Sequence, residues 1–186
     1  SFEVSPGVTD CLGIDVLGPA AAQTHEDSLV GGDLAMTIEG NKSTKTYAFT
    51  IPQDTVLARF DLISTNSSDD FDLFIRQNDD LSDNVGISGL PGGRERVDLH
   101  NPEPGTYYAV VNAYDTGDVK APFTLHAYAV GPRSQGDVRI SPDPLKTLIG
   151  IPATVTLSWN GLDPDTSYLA LVTYPNNAEP TVVTIQ

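Results

Sequence analysis

Two stretches with a period of two in their side chains constrain the fold of this chain more than any other feature. Residues 70–76 read Asp-Phe-Asp-Leu-Phe-Ile-Arg, and residues 105–114 read Gly-Thr-Tyr-Tyr-Ala-Val-Val-Asn-Ala-Tyr. One side of each extended stretch carries Phe71, Leu73 and Ile75 in the first, and Tyr107, Ala109, Val111 and Ala113 in the second. This period is typical of strands with one buried face, and β-branched and aromatic residues favour strands. The two stretches therefore predict partner strands at the centre of an antiparallel sandwich.

The rest of the chain consists of short segments separated by turn-forming residues. Sixteen Gly and fourteen Pro are spread over the 186 residues, and no window shows the apolar spacing of a long helix. Further candidate strands cover residues 33–38, 45–51, 56–63, 94–99 and 123–130, then 137–141, 153–159, 167–174 and 181–186. Strands that recur about every ten residues are typical of sandwiches and jelly rolls. The sequence predicts an all-β fold, an antiparallel jelly-roll-like β-sandwich followed by a smaller β unit.

A short stretch of linker composition predicts where the two units meet. Residues 131–136 read Gly-Pro-Arg-Ser-Gln-Gly and offer nothing to bury. We expect residues 1–131 to form the sandwich, with residues 1–30 as a lead-in segment, residues 132–136 to form the linker, and residues 137–186 to form the smaller unit. About fifty residues are few for an independent hydrophobic core.

The charge of the chain excludes two classes of partner. It carries 25 acidic and 10 basic residues, a formal net charge of −15. Nucleic acid and anionic membranes both require a basic surface, so neither is an expected partner. No apolar run has the length of a membrane span. The excess of acid indicates either a solvated acidic surface or loops that bind divalent cations.

Cysteine content and the first residues bear on the cellular compartment. Cys11 is the single cysteine, so the chain forms no internal disulfide and no zinc site built from several thiolates. We expect it to be a small buried side chain or to pair with a cysteine of a longer chain. The N-terminal residues lack the charged and apolar regions of a signal peptide. The chain is therefore expected to be a fragment or a mature product.

Three motifs resemble a known bacterial domain. They are Lys-Thr-Tyr-Ala-Phe-Thr-Ile-Pro at 45–52, Asp-Phe-Asp-Leu-Phe-Ile at 70–75 and Pro-Gly-Thr-Tyr-Tyr-Ala-Val-Val at 104–111. Together they look like the bacterial pre-peptidase C-terminal domain, a secreted jelly-roll sandwich. Residues 154–159 and 161–168 are similar to the immunoglobulin or fibronectin type III class, in which the second motif places a tyrosine corner. In this chain Trp159 is followed almost at once by that motif, without the intervening strands.

The order of the two units resembles the C-terminal tail of secreted bacterial subtilisin-like serine proteases. This resemblance implies an extracellular, non-catalytic chain whose partner is the parent catalytic domain, and which acts in substrate or surface binding, in stabilisation or in secretion of the parent. The alternative is an independent extracellular adhesion module that binds carbohydrate or collagen, with or without calcium. Both hypotheses name an extracellular protein or polysaccharide as a further partner.

The sequence offers no motif of nucleophilic catalysis. The subtilisin-type nucleophile motif Gly-Thr-Ser-Met-Ala-x-Pro is absent, and so is the Gly-x-Ser-x-Gly elbow. His25, His100 and His126 lie in strands or polar loops without a matching nucleophile. We expect no catalytic residue in this chain.

Clustered carboxylates make calcium the candidate cofactor. Asp69, Asp70 and Asp72 open the central strand, and Asp79 and Asp80 follow it. Calcium takes six to eight oxygen ligands, which clustered aspartates and loop carbonyls supply, yet neither cluster has EF-hand spacing. Solvated loop acids are the alternative interpretation. Some relatives in the resembled family bind calcium near the N-terminal edge, where this chain has Glu26, Asp27 and Asp33.

Aromatic residues on the second face of the central strands form a candidate ligand site. Phe74, Tyr108 and Tyr114 fall opposite the predicted core positions. An exposed aromatic face of this kind marks a binding surface, on which a sugar or an extended polypeptide stacks. The alternative is that a neighbouring domain covers the face.

Overall fold

A computed structural model describes residues 1–117, 119–175 and 178–186 of the chain. Over these residues it contains sixteen strands and no helix, and therefore no helix able to cross a membrane. The strands are β1 (Phe2–Val4), β2 (Asp10–Leu12), β3 (Asp15–Ala21), β4 (Gln23–Val30), β5 (Thr44–Ile51), β6 (Leu57–Ser64), β7 (Asp70–Gln77), β8 (Asp83–Ser88), β9 (Arg94–His100), β10 (Gly105–Asp115), β11 (Lys120–Val130), β12 (Asp137–Ser141), β13 (Leu145–Thr147), β14 (Ala153–Asn160), β15 (Tyr168–Thr173) and β16 (Thr181–Ile185). The predicted all-β class is confirmed.

The chain divides into two compact units. The larger unit comprises residues 23–129, and the smaller unit comprises residues 1–22 together with 130–186. The sequence-based division at 131–136 placed the first residues in the larger unit as a lead-in segment. The structure groups them differently because β1, β2 and β3 pair with β14, β13 and β15.

The larger unit consists of two four-stranded antiparallel sheets. Their strand orders are β5-β10-β7-β8 and β4-β11-β6-β9. In the first sheet β10 lies between β5 and β7, with Val111 opposite Leu73 and Ala109 opposite Ile75. The two stretches with a period of two are thus adjacent antiparallel strands, as predicted.

The inward side chains of both sheets form one core. Phe71, Leu73 and Ile75 alternate with partly exposed residues along β7. The same period holds in β11 from Lys120 to Ala127, and in β6 from Phe60 onward, after four consecutive buried residues. Phe49 and Phe60 meet edge to face with ring centroids 5.6 Å apart, and Phe71 and Phe123 are 5.5 Å apart. Aromatic pairs at such distances add to the free energy gained by burying their area.

The smaller unit is built from strands of both chain ends. Its sheets are β1-β14-β12, β16-β15-β3 and the two-stranded pair β13-β2. Leu157, Ala170 and Val172 are buried in its core. The predicted tyrosine corner is present, because the Asp163 amide N–H donates to the Tyr168 hydroxyl at 3.0 Å.

Several local predictions differ from the structure. Residues 33–38, predicted as a strand, form a loop whose backbone bonds to side chains of β5: the Ala35 amide donates to Thr44 Oγ1 at 3.0 Å. Residues 83–88, which lie outside the predicted strands, form β8. Cys11 is exposed in the three-residue strand β2, opposite Lys146, so the first of its two expected roles, a small buried side chain, is wrong.

Candidate functional site

Two outward-facing aromatic side chains of the larger unit lie on neighbouring strands. Phe74 in β7 faces Val110 across the ladder, and Tyr108 in β10 faces Arg76. Phe74 and Tyr108 are half-buried, whereas Val110 between them is fully buried. The guanidinium carbon of Arg76 lies 5.9 Å from the Phe74 ring centroid, within cation–π range. We call the surface formed by Phe74, Arg76 and Tyr108 the aromatic face.

The neighbouring strand extends the aromatic face toward the sheet edge. Ile87 in β8 lies opposite Phe74 and is 52% exposed. Arg76 Nε is buried and has no hydrogen-bond partner among the described residues. The arrangement presents an apolar surface with one cation, on strands whose backbone is fixed by ladder hydrogen bonds on both sides of β7 and β10.

Tyr114 lies apart from the other two predicted ligand-binding residues. It is 65% exposed and sits in a β-bulge, where the pairing of β10 with β7 shifts between Ala113 and Asp115. Six residues along a strand separate it from Tyr108, roughly 20 Å at the rise of a β-strand. The structure brings Phe74 and Tyr108 together and leaves Tyr114 separate.

The three aspartates at the start of the central strand, Asp69, Asp70 and Asp72, make different contacts. Asp69 is 4% exposed and accepts hydrogen bonds from Ser64 Oγ at 2.6 Å and Asn66 Nδ2 at 3.1 Å. These bonds hold the turn before β7. Asp70 accepts the Gly92 amide N–H at 3.1 Å. Burial and the Asp70 charge raise the pKa of Asp72, while a hydrogen bond from Asn112 lowers it.

A third carboxylate, which sequence reasoning did not select, lies near Asp70 and Asp72. Glu95 in β9 is 2% exposed and accepts a hydrogen bond from the Ser88 hydroxyl. Burial raises its pKa, and the charges of Asp72 and Asp70 add to that rise. The sequence contains a signal for it: Glu95 alternates with Val97 and Leu99 on the inward side of β9, where an apolar residue is expected.

The second predicted acidic group lies beyond the other end of β7. Asp80 accepts hydrogen bonds from the Ser82 amide at 3.0 Å and hydroxyl at 2.7 Å, which lower its pKa. Asp79 is exposed in the same turn. Because all of β7 separates Asp79 and Asp80 from Asp70 and Asp72, the structure does not join the two groups.

Asp27, one of the acids near the N-terminal edge of the larger unit, is engaged by neighbouring side chains. Asp27 is paired with Lys45 and accepts a hydrogen bond from the Tyr47 hydroxyl at 3.2 Å, and the Lys45 hydrogen bond lowers its pKa. Within the described residues no three His, Cys, Asp or Glu side chains form a group that could hold a metal ion. The calcium site stays a prediction.

One histidine forms a hydroxyl–imidazole pair. Thr24 Oγ1 lies 2.9 Å from His126 Nδ1, and the two residues are direct partners in the β4–β11 ladder. Burial lowers the pKa of His126, whereas the charges of Asp61 and Glu26 raise it. The Asp61 carboxylate is held by Arg96 at 2.8 Å and does not orient the imidazole. Cross-strand pairing accounts for this contact.

Comparison with known proteins identifies part of the larger unit. Residues 43–113 match the family model described as the bacterial pre-peptidase C-terminal domain. The matched segment contains β5 to β9 and most of β10, and it includes the whole aromatic face. The predicted pre-peptidase C-terminal domain is confirmed over these residues. No curated protein matches the chain.

Three solved structures show partial likeness to the chain. The pre-peptidase C-terminal domain of collagenase from Bacillus anthracis is 17% identical, with a TM-score of 0.44 over 57% of this chain and 88% of that domain. Aeromonas hydrophila PliG, a periplasmic inhibitor of g-type lysozyme, is 14% identical, with a TM-score of 0.39 over 60% of this chain and 87% of that one. The Bacillus licheniformis lipase BlEst2 in its propeptide form is 13% identical, with a TM-score of 0.35 over 90% of this chain and 40% of that one.

Proposed function

We propose that this chain is a non-catalytic accessory region of a secreted bacterial peptidase, and that its aromatic face holds an extended polypeptide substrate for the parent catalytic domain. The match of residues 43–113 supports the accessory role. The order of the two units supports a subtilisin-like serine protease as the parent. The same resemblance supports an extracellular location.

The observation that carries the substrate-binding proposal is the pairing of Phe74 and Tyr108 with Arg76 on two central strands. Aromatic and arginine side chains dominate the binding energy of polypeptide interfaces. Partly exposed Phe74, Tyr108 and Ile87 lie on three adjacent strands and offer apolar contacts to the side chains of a bound polypeptide. Arg76 adds donors for the carbonyl oxygens of such a chain.

Co-sedimentation with insoluble collagen tests the aromatic face directly. We expect Phe74→Ala and Tyr108→Ala each to weaken binding roughly tenfold, the usual loss when an interface anchor is truncated. Tyr114→Ala is the matched control, since it removes an exposed aromatic from the same strand at a distance from the face. Equal binding by all three variants would contradict the proposal.

The same assay separates the polypeptide from the polysaccharide alternative. Cellulose and chitin replace collagen in parallel tubes. Retention on a polysaccharide and not on collagen, lost in Phe74→Ala, would assign the face to sugar rings. The isolated chain should not hydrolyse casein, and measurable turnover would contradict its non-catalytic role.

A calcium-dependent adhesion module is the second proposal. Asp70 and Asp72 are its candidate ligands, together with loop carbonyl oxygens, because burial and the Asp70 charge raise the pKa of Asp72 and no described Lys or Arg forms an ion pair with either residue. A cation bound only to the folded chain must raise the melting temperature. We expect calcium at 100 times its Kd to stabilise the chain by about 2.7 kcal/mol, and a chelator to reverse the effect. A melting curve unchanged by calcium and by chelator excludes the metal from this proposal.

A further inference from the structure

A small pocket at one end of the smaller unit is formed around the single tryptophan of the chain. Trp159 is the last inward-facing residue of β14, two positions beyond buried Leu157 and four beyond buried Val155. By this alternation its side chain belongs with the core, yet it is 47% exposed. It lines a pocket of about 210 Å³ whose other lining residues are Leu162, Asp163, Pro164, Thr166, the buried Tyr168, Ile185 and Gln186. A core-facing indole is thus open to a ligand.

The position of Asp163 in the pocket is fixed by the tyrosine corner. Its amide N–H donates to the Tyr168 hydroxyl at 3.0 Å, and its carbonyl accepts the Thr166 amide at 3.2 Å. Its Oδ1 accepts the Asp165 amide at 3.0 Å. Its Oδ2 accepts no hydrogen bond from the described residues and has no cationic partner among them. One carboxylate oxygen is therefore free for a ligand.

The charge of the pocket selects the class of ligand. Asp163 carries the one ionisable acidic or basic side chain among the described residues that line it. The chain as a whole carries 25 acidic against 10 basic residues. Such a field attracts cations and repels anions. An indole face adds a further attraction that only a cation receives, and Leu162 and Pro164 offer apolar contact to a methylene stem.

We propose that this pocket binds an organic cation, the ammonium or guanidinium head of a Lys or Arg side chain or a quaternary ammonium, stacked on Trp159 and paired with Asp163 Oδ2. The site lies in the smaller unit and is independent of the proposed role of the aromatic face. Its affinity for one isolated cation is of the order of 1 mM, since a single cation–π contact and one exposed carboxylate contribute modestly.

Tryptophan fluorescence of the full chain tests this proposal without a label, because Trp159 is the only source of indole emission. The chain is titrated with N-acetyl-lysine amide, N-acetyl-arginine amide and tetramethylammonium, and with N-acetyl-alanine amide and methyl glucoside as neutral probes. We expect a saturable change in emission with the cations alone, weakened by added salt. Response to tetramethylammonium but to neither amino acid amide would assign the site to free quaternary cations.

Two variants tie the response to the pocket. Asp163→Asn removes the charge and keeps the side-chain oxygen that accepts the Asp165 amide, and we expect roughly fivefold weaker binding of each cation. Asp165→Asn removes a neighbouring charge that does not line the pocket, and its affinity should stay within about twofold of the parent. Chemical shifts of the Leu162 and Thr166 amides provide a second readout of binding. This readout also applies to a Trp159→Phe variant, which has no tryptophan emission.

Three results would overturn the proposal. They are the absence of a saturable response to any cation, an equal response to methyl glucoside, and unchanged cation affinity in folded Asp163→Asn. An equal response to the glucoside would indicate a site for neutral rings. Failure of collagen binding at the aromatic face leaves this test unaffected, because its readout comes from Trp159 alone.

Discussion

Glu95 occupies a position at which the alternation of β9 requires an apolar side chain. It lies on the inward side with Val97, and the hydroxyl of Ser88 donates to its carboxylate. Burial of an ionised carboxylate is unfavourable unless hydrogen bonds or a cation compensate for lost hydration. Here the Ser88 hydroxyl and the Leu90 backbone amide compensate in part, while the nearby charges of Asp72 and Asp70 act in the opposite direction. The ionised form of Glu95 therefore reduces the stability of the folded chain.

Glu95→Gln should stabilise the chain at neutral pH. Because the pKa of Glu95 is higher in the folded than in the unfolded state, its contribution to stability becomes less favourable as pH rises through the folded-state pKa. The glutamine still accepts the Ser88 bond without the charge. We expect a gain of about 1 kcal/mol at pH 7, or about 2–4 °C in the melting temperature. The difference from the parent should disappear once both states of Glu95 are protonated at acid pH.

The control for this substitution is Glu103→Gln. Glu103 is exposed, and its side chain makes no hydrogen bond or ion pair with the described residues. The measurement is the melting temperature of the parent, Glu95→Gln and Glu103→Gln proteins from about pH 4 to about pH 8. A Glu95→Gln protein less stable than its parent at pH 7 would contradict this prediction. It would show that hydrogen bonds in the folded chain fully compensate for the lost hydration of the carboxylate.

At the scale of strands, prediction succeeded where the side-chain pattern alone decides the structure. β7 alternates in burial along its length, and its period of two is visible in the sequence. β10 shows the same period in its residue types, but Ala109 to Ala113 are all buried, so its burial alternates only at its start. β4 reads Gln-Thr-His-Glu-Asp-Ser-Leu-Val and has little strand propensity. It is extended because it pairs with β11 over eight residues, a tertiary contact that no local pattern reveals.

The candidate site shows the same limit. The face shared by Phe74 and Tyr108 follows from alternation, so it could be predicted. Tyr114 has the same parity, but the bulge after Ala113 interrupts the register, and an inserted residue leaves no local signal in the sequence. The Trp159 pocket depends on β16 and the tyrosine corner meeting at one end of the smaller unit, which is a property of the folded sheets.

Two tyrosine hydroxyls fix turns at the starts of β10 and β15. The Tyr107 hydroxyl donates to the Glu103 carbonyl at 2.9 Å, and the Tyr168 hydroxyl accepts the Asp163 amide at 3.0 Å. Tyr107→Phe and Tyr168→Phe each remove one such bond while keeping the buried ring. We expect each to cost about 1 kcal/mol, the usual net contribution of a hydrogen bond.

Urea denaturation with unit-specific probes measures the two losses. Trp159 emission follows the smaller unit for Tyr168→Phe, and amide hydrogen exchange of β10 follows the larger unit for Tyr107→Phe. Tyr114→Phe is the control, since the Tyr114 hydroxyl is in no hydrogen bond with the described residues and the residue is exposed. Stability equal to that of the parent in both variants would mean that water replaces these bonds without cost.

At the scale of the whole molecule, the smaller unit depends on segments that are distant in sequence. β1 pairs with β14 through Phe2 and Val155, and β3 pairs with β15 through Leu17 and Leu171. Partly buried Phe2 and Val16 pack against its core. Pairing β1 and β3 with β14 and β15 closes the long stretch of chain between them, which is unfavourable in conformational entropy. The contacts of the smaller unit must compensate for this loss. Residues 130–186 alone therefore lack three strands of their fold.

In a chain that begins at residue 23, we expect the smaller unit to lose stability and the larger unit to keep it. We expect β14 and β15 to lose their protection against hydrogen exchange and Trp159 emission to shift toward that of solvent-exposed indole, because β1, β2 and β3 are missing. The strands of residues 23–129 should keep their protection, since their two sheets take no strand from residues 1–22. A synthetic peptide of residues 1–22 added in excess should restore protection of β14 and β15. If instead the truncation unprotected β5 to β10 and spared β14 and β15, the N-terminal residues would belong to the larger unit, as the lead-in hypothesis expected.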